Sequence, residues 1–219
     1  MTVVLLAFTA LPLLAQPKVA LQSADRDTAY VAKILDRATK NIAALALSDA
    51  ALQENVRNIV ANRYFELNDI YAERDTAIAL AKRTLTGDDK NHAVEAARAR
   101  CDSRLYRSHF AFSAQLSLYL DDGQITQVKD GITMGVVKVT YDAQLDMIPT
   151  LTEEEKQQIY AWLCEARELA LDAESSKMKH ETFGKYKGRI NNYLSKRGYD
   201  LVKEREAWYE RVKARGGQL

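Results

Sequence analysis

The side chains best suited to chemistry lie late in the chain, in the stretch FGKYKGRINNYLSKRGYD at residues 183–200. Arg189 is followed there by the paired amides of Asn191 and Asn192, and Lys187 precedes it. Guanidinium and amide groups form directed hydrogen bonds with hydroxyls and carboxylates, and a lysine adds a positive charge. These residue types indicate a site for an oxygen-rich ligand.

Two glycines, Gly184 and Gly188, interrupt the helical periodicity of the same stretch. A glycine inside a helix costs about 1 kcal/mol relative to alanine, so two of them on one face need a reason. One reason is close packing against another helix. The other is a shallow floor of bare backbone between His180 and Asn191, and the sequence leaves both open.

The aromatic residues of this stretch share a helical stripe with aliphatic residues: Phe183, Tyr186, Ile190, Tyr193 and Leu194. Such a stripe faces the core, whereas binding of single-stranded nucleic acid needs exposed rings beside a basic groove. The net charge of +1 favours no polyanion either. We therefore expect no nucleic-acid partner.

Charged residues are distributed unevenly along the chain, although their total nearly cancels. Residues 177–197 hold seven basic side chains and one acidic side chain, and they follow a stretch rich in Asp and Glu. This asymmetry predicts that an acidic helix and a basic helix pack against each other.

Apolar residues recur every three or four positions through most of the chain, which predicts six to seven helices in a single all-α domain over residues 16–219. Two predicted helices begin with a capping box, one at Asp121 and Gln124 and the other at Thr152 and Glu155.

A segment at about 131–149 breaks the helical pattern. Its glycines and the run from Val136 to Thr140 favour an extended, irregular conformation. Loops carry a disproportionate share of binding residues, so Tyr141 and Asp142 become candidate ligand contacts.

The remaining candidates are His109 and the pair Lys129 and Asp130, which precedes a glycine and suits either a cap or a pocket wall. The three histidines of the chain show no metal-ligand spacing, and there is no cysteine cluster. We expect neither a bound metal nor a cofactor.

The first residues resemble a signal peptide. A predominantly apolar run from Val3 to Ala15 ends in Leu-Leu-Ala before Gln16, and it is too short to span a bilayer. The basic segment that normally precedes such a run is missing, so we expect a truncated start. The sequence predicts export to the periplasm or the cell exterior, with no membrane span.

Cys101 and Cys164 are the only cysteines. Export permits a disulfide between them, while their helical surroundings suit buried free thiols equally well. The sequence leaves both states open.

Residues 128–201 resemble the characteristic half of a bacterial family catalogued as domain of unknown function 3826. The blocks KDG, GVV, VTY and GKYKGRINNY carry the likeness, and LNDIYAERD and LYRSHF extend it over most of the mature chain. The resemblance implies an exported sugar-binding protein of polysaccharide-degrading bacteria. It implies no catalytic residues.

Three functions remain open from the sequence. The favoured one is an exported, non-catalytic carbohydrate-binding protein associated with polysaccharide utilisation, whose ligand is neutral or acidic. The second is an enzyme that cleaves uronate-containing glycans by β-elimination. That reaction needs a cation or an amide to neutralise the substrate carboxylate and a side chain to act as base. The residues of those types are Arg189, Asn191, Lys187, His180 and Tyr186. The third is a helical scaffold without a small ligand, which predicts a flat surface around residues 180–192.

Overall fold

The computed structural model describes residues 17–217, and within that range the chain forms eight α-helices, one short 3-10 helix at Ala43–Leu45 and no strand. The α-helices are α1 (Thr28–Ile42), α2 (Ala50–Thr84), α3 (Gly87–Leu116), α4 (Asp122–Ile132), α5 (Val136–Met147), α6 (Glu153–Leu171), α7 (Ser176–Lys196) and α8 (Leu201–Ala214). The predicted all-α class is confirmed, and the predicted number of six to seven helices is slightly too low.

The prediction of an extended segment at about 131–149 is wrong, because that segment contains the end of α4 and the whole of α5. The two helices are joined by a tight turn in which Met134 (φ 60°) and Gly135 (φ 65°) adopt the left-handed conformation. Val136, Val137 and Thr140 are buried. Their packing against the core outweighs the low helix propensity of β-branched residues.

Both predicted capping boxes are confirmed. The Asp121 carboxylate accepts a hydrogen bond from the backbone N–H of Gln124, whose side-chain oxygen accepts one from the N–H of Asp121. Thr152 and Glu155 form the same reciprocal pair at the start of α6. These side chains satisfy backbone donors that the first turn of a helix leaves unpaired, so each fixes a helix start locally.

Two groups of buried apolar side chains form the core. The first gathers residues of α1, α2, α4 and the end of α3 around Phe65 and Leu116. The second gathers residues of α5, α6 and α7 around Phe183 and Ile190. Helix α4 contacts both α1 and α6 and so joins the two groups. Gly131 allows this close approach, because a Cβ there would lie 2.2 Å from the backbone oxygen of Asn41.

Helices α6 and α7 pack side by side, which confirms the predicted pairing of an acidic and a basic helix. Arg189 of α7 lies 3.3 Å from the Glu165 carboxylate. Just beyond α7, the Nε of Arg197 donates to the Glu155 carboxylate at 2.7 Å.

Helices α2 and α3 run 35 and 30 residues and pack against each other as a long hairpin. The part of this hairpin formed by residues 72–100, here called the hairpin arm, contains only two buried side chains, Ala81 and Ala97. The remainder of α2 and α3 carries the buried residues of the first core group.

The predicted signal peptide, residues 1–15, lies outside the described residues. Among residues 17–217, no helix is both long enough and apolar enough to cross a membrane. Cys101 on α3 and Cys164 on α6 are both free thiols.

Candidate functional site

A cavity of about 540 Å³ opens between α1, α2, the end of α4 and the connection from α6 to α7. We call it the interhelical cavity. Its size falls within the range of pockets that hold small organic ligands, roughly 300–1,000 Å³. Gly131 and Ile132 at the end of α4 form part of its wall, and the α6–α7 connection at residues 173–176 covers one side.

Lys179, in the first turn of α7, is the most deeply buried charged group of this cavity, with a residue exposure of 5%. Its Nζ donates a hydrogen bond to the backbone oxygen of Ile132 at 3.3 Å and lies 5.7 Å from the centre of the Tyr64 ring. Burial, together with the nearby charges of Arg37 and Arg63, lowers the pKa of Lys179 to about 8, against a smaller raising effect of Asp172.

Three tyrosines contribute aromatic surface to the cavity wall: Tyr30, Tyr64 and Tyr71. The Tyr64 hydroxyl accepts a hydrogen bond from the Asn41 amide at 2.8 Å and keeps its own proton to donate. The Tyr71 hydroxyl donates to the backbone oxygen of Asp172 at 2.6 Å. Burial, with negative charges nearby, raises the pKa of Tyr71 to about 12, so this hydroxyl stays protonated.

The charged groups at the cavity rim are unevenly paired. The acidic residues Asp75 and Glu174 both bind Arg74, at 2.6 Å and 3.0 Å. Among the described residues, no carboxylate lies within ion-pair distance of Lys33 or Arg37, which stand on α1; Arg37 instead lies over the Tyr64 ring at 5.4 Å. The cavity therefore offers cations, aromatic rings, hydroxyls and amides to an incoming ligand.

The predicted contacts on α7 lie on an exposed face of that helix, away from the interhelical cavity. Gly188, Arg189 and Asn192 line a shallow depression together with Trp162, Lys185, Tyr193 and Lys196. A Cβ placed on Gly184 or Gly188 would contact nothing within 4 Å, so close helix packing is the wrong explanation for these glycines. His180, Lys187 and Asn191 are exposed elsewhere on α7 and do not line the depression.

Within the depression, Arg189 has its own partners in the protein. Its guanidinium lies 4.4 Å from the centre of the Trp162 ring and forms the ion pair with Glu165. Asn192 is exposed beside it. The structure thus brings together two of the predicted α7 contacts and separates the other three.

Tyr141 and Asp142 lie on α5 and not on a loop. The Tyr141 ring packs edge-on against Tyr160 at 5.2 Å, and Asp142 accepts a hydrogen bond from Lys138 at 2.6 Å. Neither residue lines the interhelical cavity or the α7 depression.

The three remaining predicted contacts, His109, Lys129 and Asp130, belong to a polar network that ties α3 and α4 to α6. Lys129 binds Glu168 at 2.7 Å, and Asp130 binds Arg167 at 3.0 Å.

The Nδ1 of His109 lies 2.9 Å from the Asp172 carboxylate, and its Nε2 lies 3.7 Å from Glu168. Asp172 also binds Arg63, which is buried and donates to Ser108 at 2.6 Å. These partners tie His109, Lys129 and Asp130 to neighbouring side chains, and none of the three lines the interhelical cavity or the α7 depression. Within the described part of the chain, no group of three or more His, Cys, Asp or Glu residues is arranged to hold a metal ion.

The sequence interpretation missed Lys179, Arg37 and Tyr64. A signal for Lys179 was present, since it stands one turn before Phe183 on the stripe that faces the core. A lysine at an inward position of a helix is uncommon unless it is paired or functional. Arg37 and Tyr64 carry no such signal, because only the packing of α1 on α2 places them together.

These features define an all-helical protein with a polar, cation-rich cavity between its helices. The chain belongs to the family described as Protein of unknown function (DUF3826), whose model matches residues 31–214. That range contains α2 to α8 in full and confirms the family resemblance found in the sequence. No curated protein matches the chain.

Proposed function

We propose that this protein is an exported, non-catalytic carbohydrate-binding protein associated with polysaccharide utilisation, and that the saccharide binds in the interhelical cavity. The observation that carries the proposal is the combination of tyrosine rings, amides and the buried Lys179 around one open volume of about 540 Å³. Sugars present both apolar C–H faces and hydroxyl groups. The rings suit the former, and the hydrogen-bonding groups suit the latter.

The direct test measures binding of a panel of neutral and acidic mono- and disaccharides by isothermal titration calorimetry. Ala72 lines the cavity from an exposed position on α2, so Ala72→Trp should fill the cavity without disturbing the core. Ala79 is also exposed, two helical turns further along the same face, and lies outside the cavity. Ala79→Trp is therefore the matched control.

We expect Ala72→Trp to weaken binding at least about tenfold and Ala79→Trp to leave it unchanged, since an occluded pocket loses most ligand contacts. An Asn192→Ala variant tests the depression on α7 instead. If Asn192→Ala abolishes binding while Ala72→Trp retains it, the site is the depression. If no member of the panel gives heat with the wild-type protein, carbohydrate binding is the wrong function.

A second candidate, β-elimination on a uronate-containing glycan, is favoured by one specific observation. The interhelical cavity holds a lysine whose pKa is lowered to about 8 and, at its rim, the guanidinium of Arg37. Neutral Lys179 would remove the C5 proton next to the carboxylate, which Arg37 would neutralise. The electron pair would form the C4–C5 double bond as the C4–O glycosidic bond breaks, and solvent water would protonate the leaving oxygen. The assay is the absorbance of the unsaturated uronate product. Turnover of a polyuronate that is lost in Lys179→Met would establish catalysis, and no turnover would remove this candidate.

The scaffold hypothesis predicted a flat surface around residues 180–192. The depression at Gly188 lies on that surface, so no observation favours a scaffold over a binding protein.

A further inference from the structure

The cations of the interhelical cavity lack carboxylate partners within the described protein. Lys33, Arg37 and Lys179 line the cavity, and none of them lies within ion-pair distance of an acidic side chain among residues 17–217. The two acids of the cavity, Asp75 and Glu174, are already bound to Arg74. The free charge that faces the cavity is therefore positive.

The excess of positive charge matters most at Lys179, because a buried charge without an ion-pair partner costs free energy of folding. Its side chain is buried, and among residues 17–217 its Nζ has one hydrogen-bond acceptor, the backbone oxygen of Ile132. An ammonium group carries three donors. Two of them remain for a ligand in the cavity that the side chain lines.

We propose that the interhelical cavity binds a sugar acid, whose carboxylate pairs with Lys179 and Arg37 while its hydroxyls contact the tyrosines and amides of the wall. This inference rests on the proposed carbohydrate-binding function and narrows it to an anionic ligand. Arg37 lies over the Tyr64 ring, and Lys179 approaches the same ring, so the two cations stand around one aromatic side chain. An anion beside Tyr64 can contact both.

The groups around Lys179 determine how pH changes the ion pair between Lys179 and the ligand carboxylate. Three charged groups act on Lys179 directly: Arg37, Asp172 and Arg63. The other charged and titratable groups that line the same cavity are Tyr30 and Lys33 from α1, Tyr64, Tyr71 and Asp75 from α2, and Glu174 from the α6–α7 connection, while α4 offers the carbonyl of Ile132. Lys179 has a pKa of about 8 in the free protein. A bound anion favours the charged form and raises that pKa, so binding near pH 8 must take up protons.

The first experiment compares galacturonate and glucuronate with galactose and glucose by titration calorimetry at pH 7, using the full mature chain. Charge-assisted hydrogen bonds support a preference of at least about tenfold for the acids over the neutral sugars. Galactose 1-phosphate forms a separate arm, because a phosphate ester supplies the same acceptor oxygens. Tighter binding of the phosphate than of either uronate would assign the site to sugar phosphates and overturn the carboxylate assignment.

The variants are Lys179→Met, which keeps the length of the side chain and removes the charge, and Lys187→Met as the matched control on the exposed face of α7. We expect Lys179→Met to abolish the preference while the affinity for neutral sugars stays within about threefold, and Lys187→Met to keep the preference. Arg37→Gln provides a second reading at the cavity rim if Lys179→Met does not fold. Retention of the preference in Lys179→Met, or in Arg37→Gln where Lys179→Met does not fold, would overturn the inference.

The second experiment measures proton uptake by repeating the titration at pH 8 in HEPES and in Tris, which differ in ionisation enthalpy. A pKa of about 8 leaves about half of the Lys179 amines neutral at this pH, so galacturonate binding should take up as much as about half a proton. Galactose binding should take up none. Binding of galactose and galacturonate with equal affinity and no proton uptake would refute the inference while leaving the proposed function intact. Absence of binding by every sugar would refute both.

Discussion

Replacing Gly131 by alanine tests the contact that brings α4 against α1. The added Cβ would lie 2.2 Å from the backbone oxygen of Asn41 and 2.9 Å from its carbonyl carbon. Non-bonded carbon and oxygen atoms normally approach to about 3.3 Å, so α4 would have to move by roughly 1 Å relative to α1. Side-chain rearrangement cannot relieve this clash, because the neighbouring atoms belong to the backbone.

The expected cost follows from two opposing effects. Overpacking of a well-packed region costs about 1–3 kcal/mol or more, and alanine returns about 1 kcal/mol of helix propensity. Helix α4 cannot shift freely, since Lys129 and Asp130 bind α6 on its other side. We expect a net loss of about 2 kcal/mol, which corresponds to a fall in melting temperature of roughly 4–8 °C for a domain of this size.

The matched control is Gly184→Ala in the middle of α7, where an added Cβ would contact nothing within 4 Å. There the propensity gain acts alone, and the protein should become more stable by about 0.5–1 kcal/mol. Urea denaturation followed by circular dichroism measures both variants. A Gly131→Ala protein as stable as the wild type would show that the two helix backbones do not meet at this point.

Three further predictions concern polar side chains that form hydrogen bonds between the helices. Hydrogen bonds from Thr152, Tyr199 and Arg197 overcome the effect of burial and lower the pKa of Glu155 to about 2, below its ordinary value of 4.5. Because the folded-state pKa is depressed, the stability that Glu155 contributes is present above pH 4.5 and is lost as pH falls towards 2. Glu155→Gln should therefore be less stable than the wild type at pH 7. Its free energy of unfolding, measured by urea denaturation, should also change less between pH 4.5 and pH 2. Arg63→Met should lower the free energy of unfolding by about 3 kcal/mol, since it leaves Asp172 without its buried partner. Lys138→Met, at an exposed ion pair, should lower it by less than about 0.5 kcal/mol. Equal losses in chemical denaturation would contradict the buried ion pair between Arg63 and Asp172. Trp208→Phe should cost about 1 kcal/mol by removing the hydrogen bond from its Nε1 to Asp146, and an unchanged melting temperature would argue against that bond.

Local signals made much of the helical architecture predictable. The capping boxes at Asp121 and Thr152 act within four residues, so the sequence reveals them directly. The stripe from Phe183 to Leu194 likewise identified the buried face of α7. Helix α5 was missed because its valines and threonine prefer strands as isolated residues. Its helical form depends on burial against α6, which local propensity does not contain.

The candidate site was less predictable for a related reason. The residues around the interhelical cavity come from α1, α2, α4 and the connection before α7, and single-sequence periodicity does not show which helices meet. The composition of the α7 stretch indicates a binding site, yet Arg189 already binds Glu165 and covers Trp162. Lys179 is the exception, because its inward position on α7 could be identified from the sequence.

The sparse interior of the hairpin arm has a consequence for how the molecule comes apart. Residues 72–100 hold little more than Ala81 and Ala97 away from water, while the body of the protein buries its large side chains around Phe65 and Phe183. The hairpin arm should therefore unfold locally, starting from its tip at Thr86 and Gly87, more readily than the rest of the protein unfolds. Its backbone amide protons should exchange with solvent correspondingly faster. A tag or a graft placed at that tip would lie at the opposite end of the arm from Ala72 and Asp75, which line the interhelical cavity.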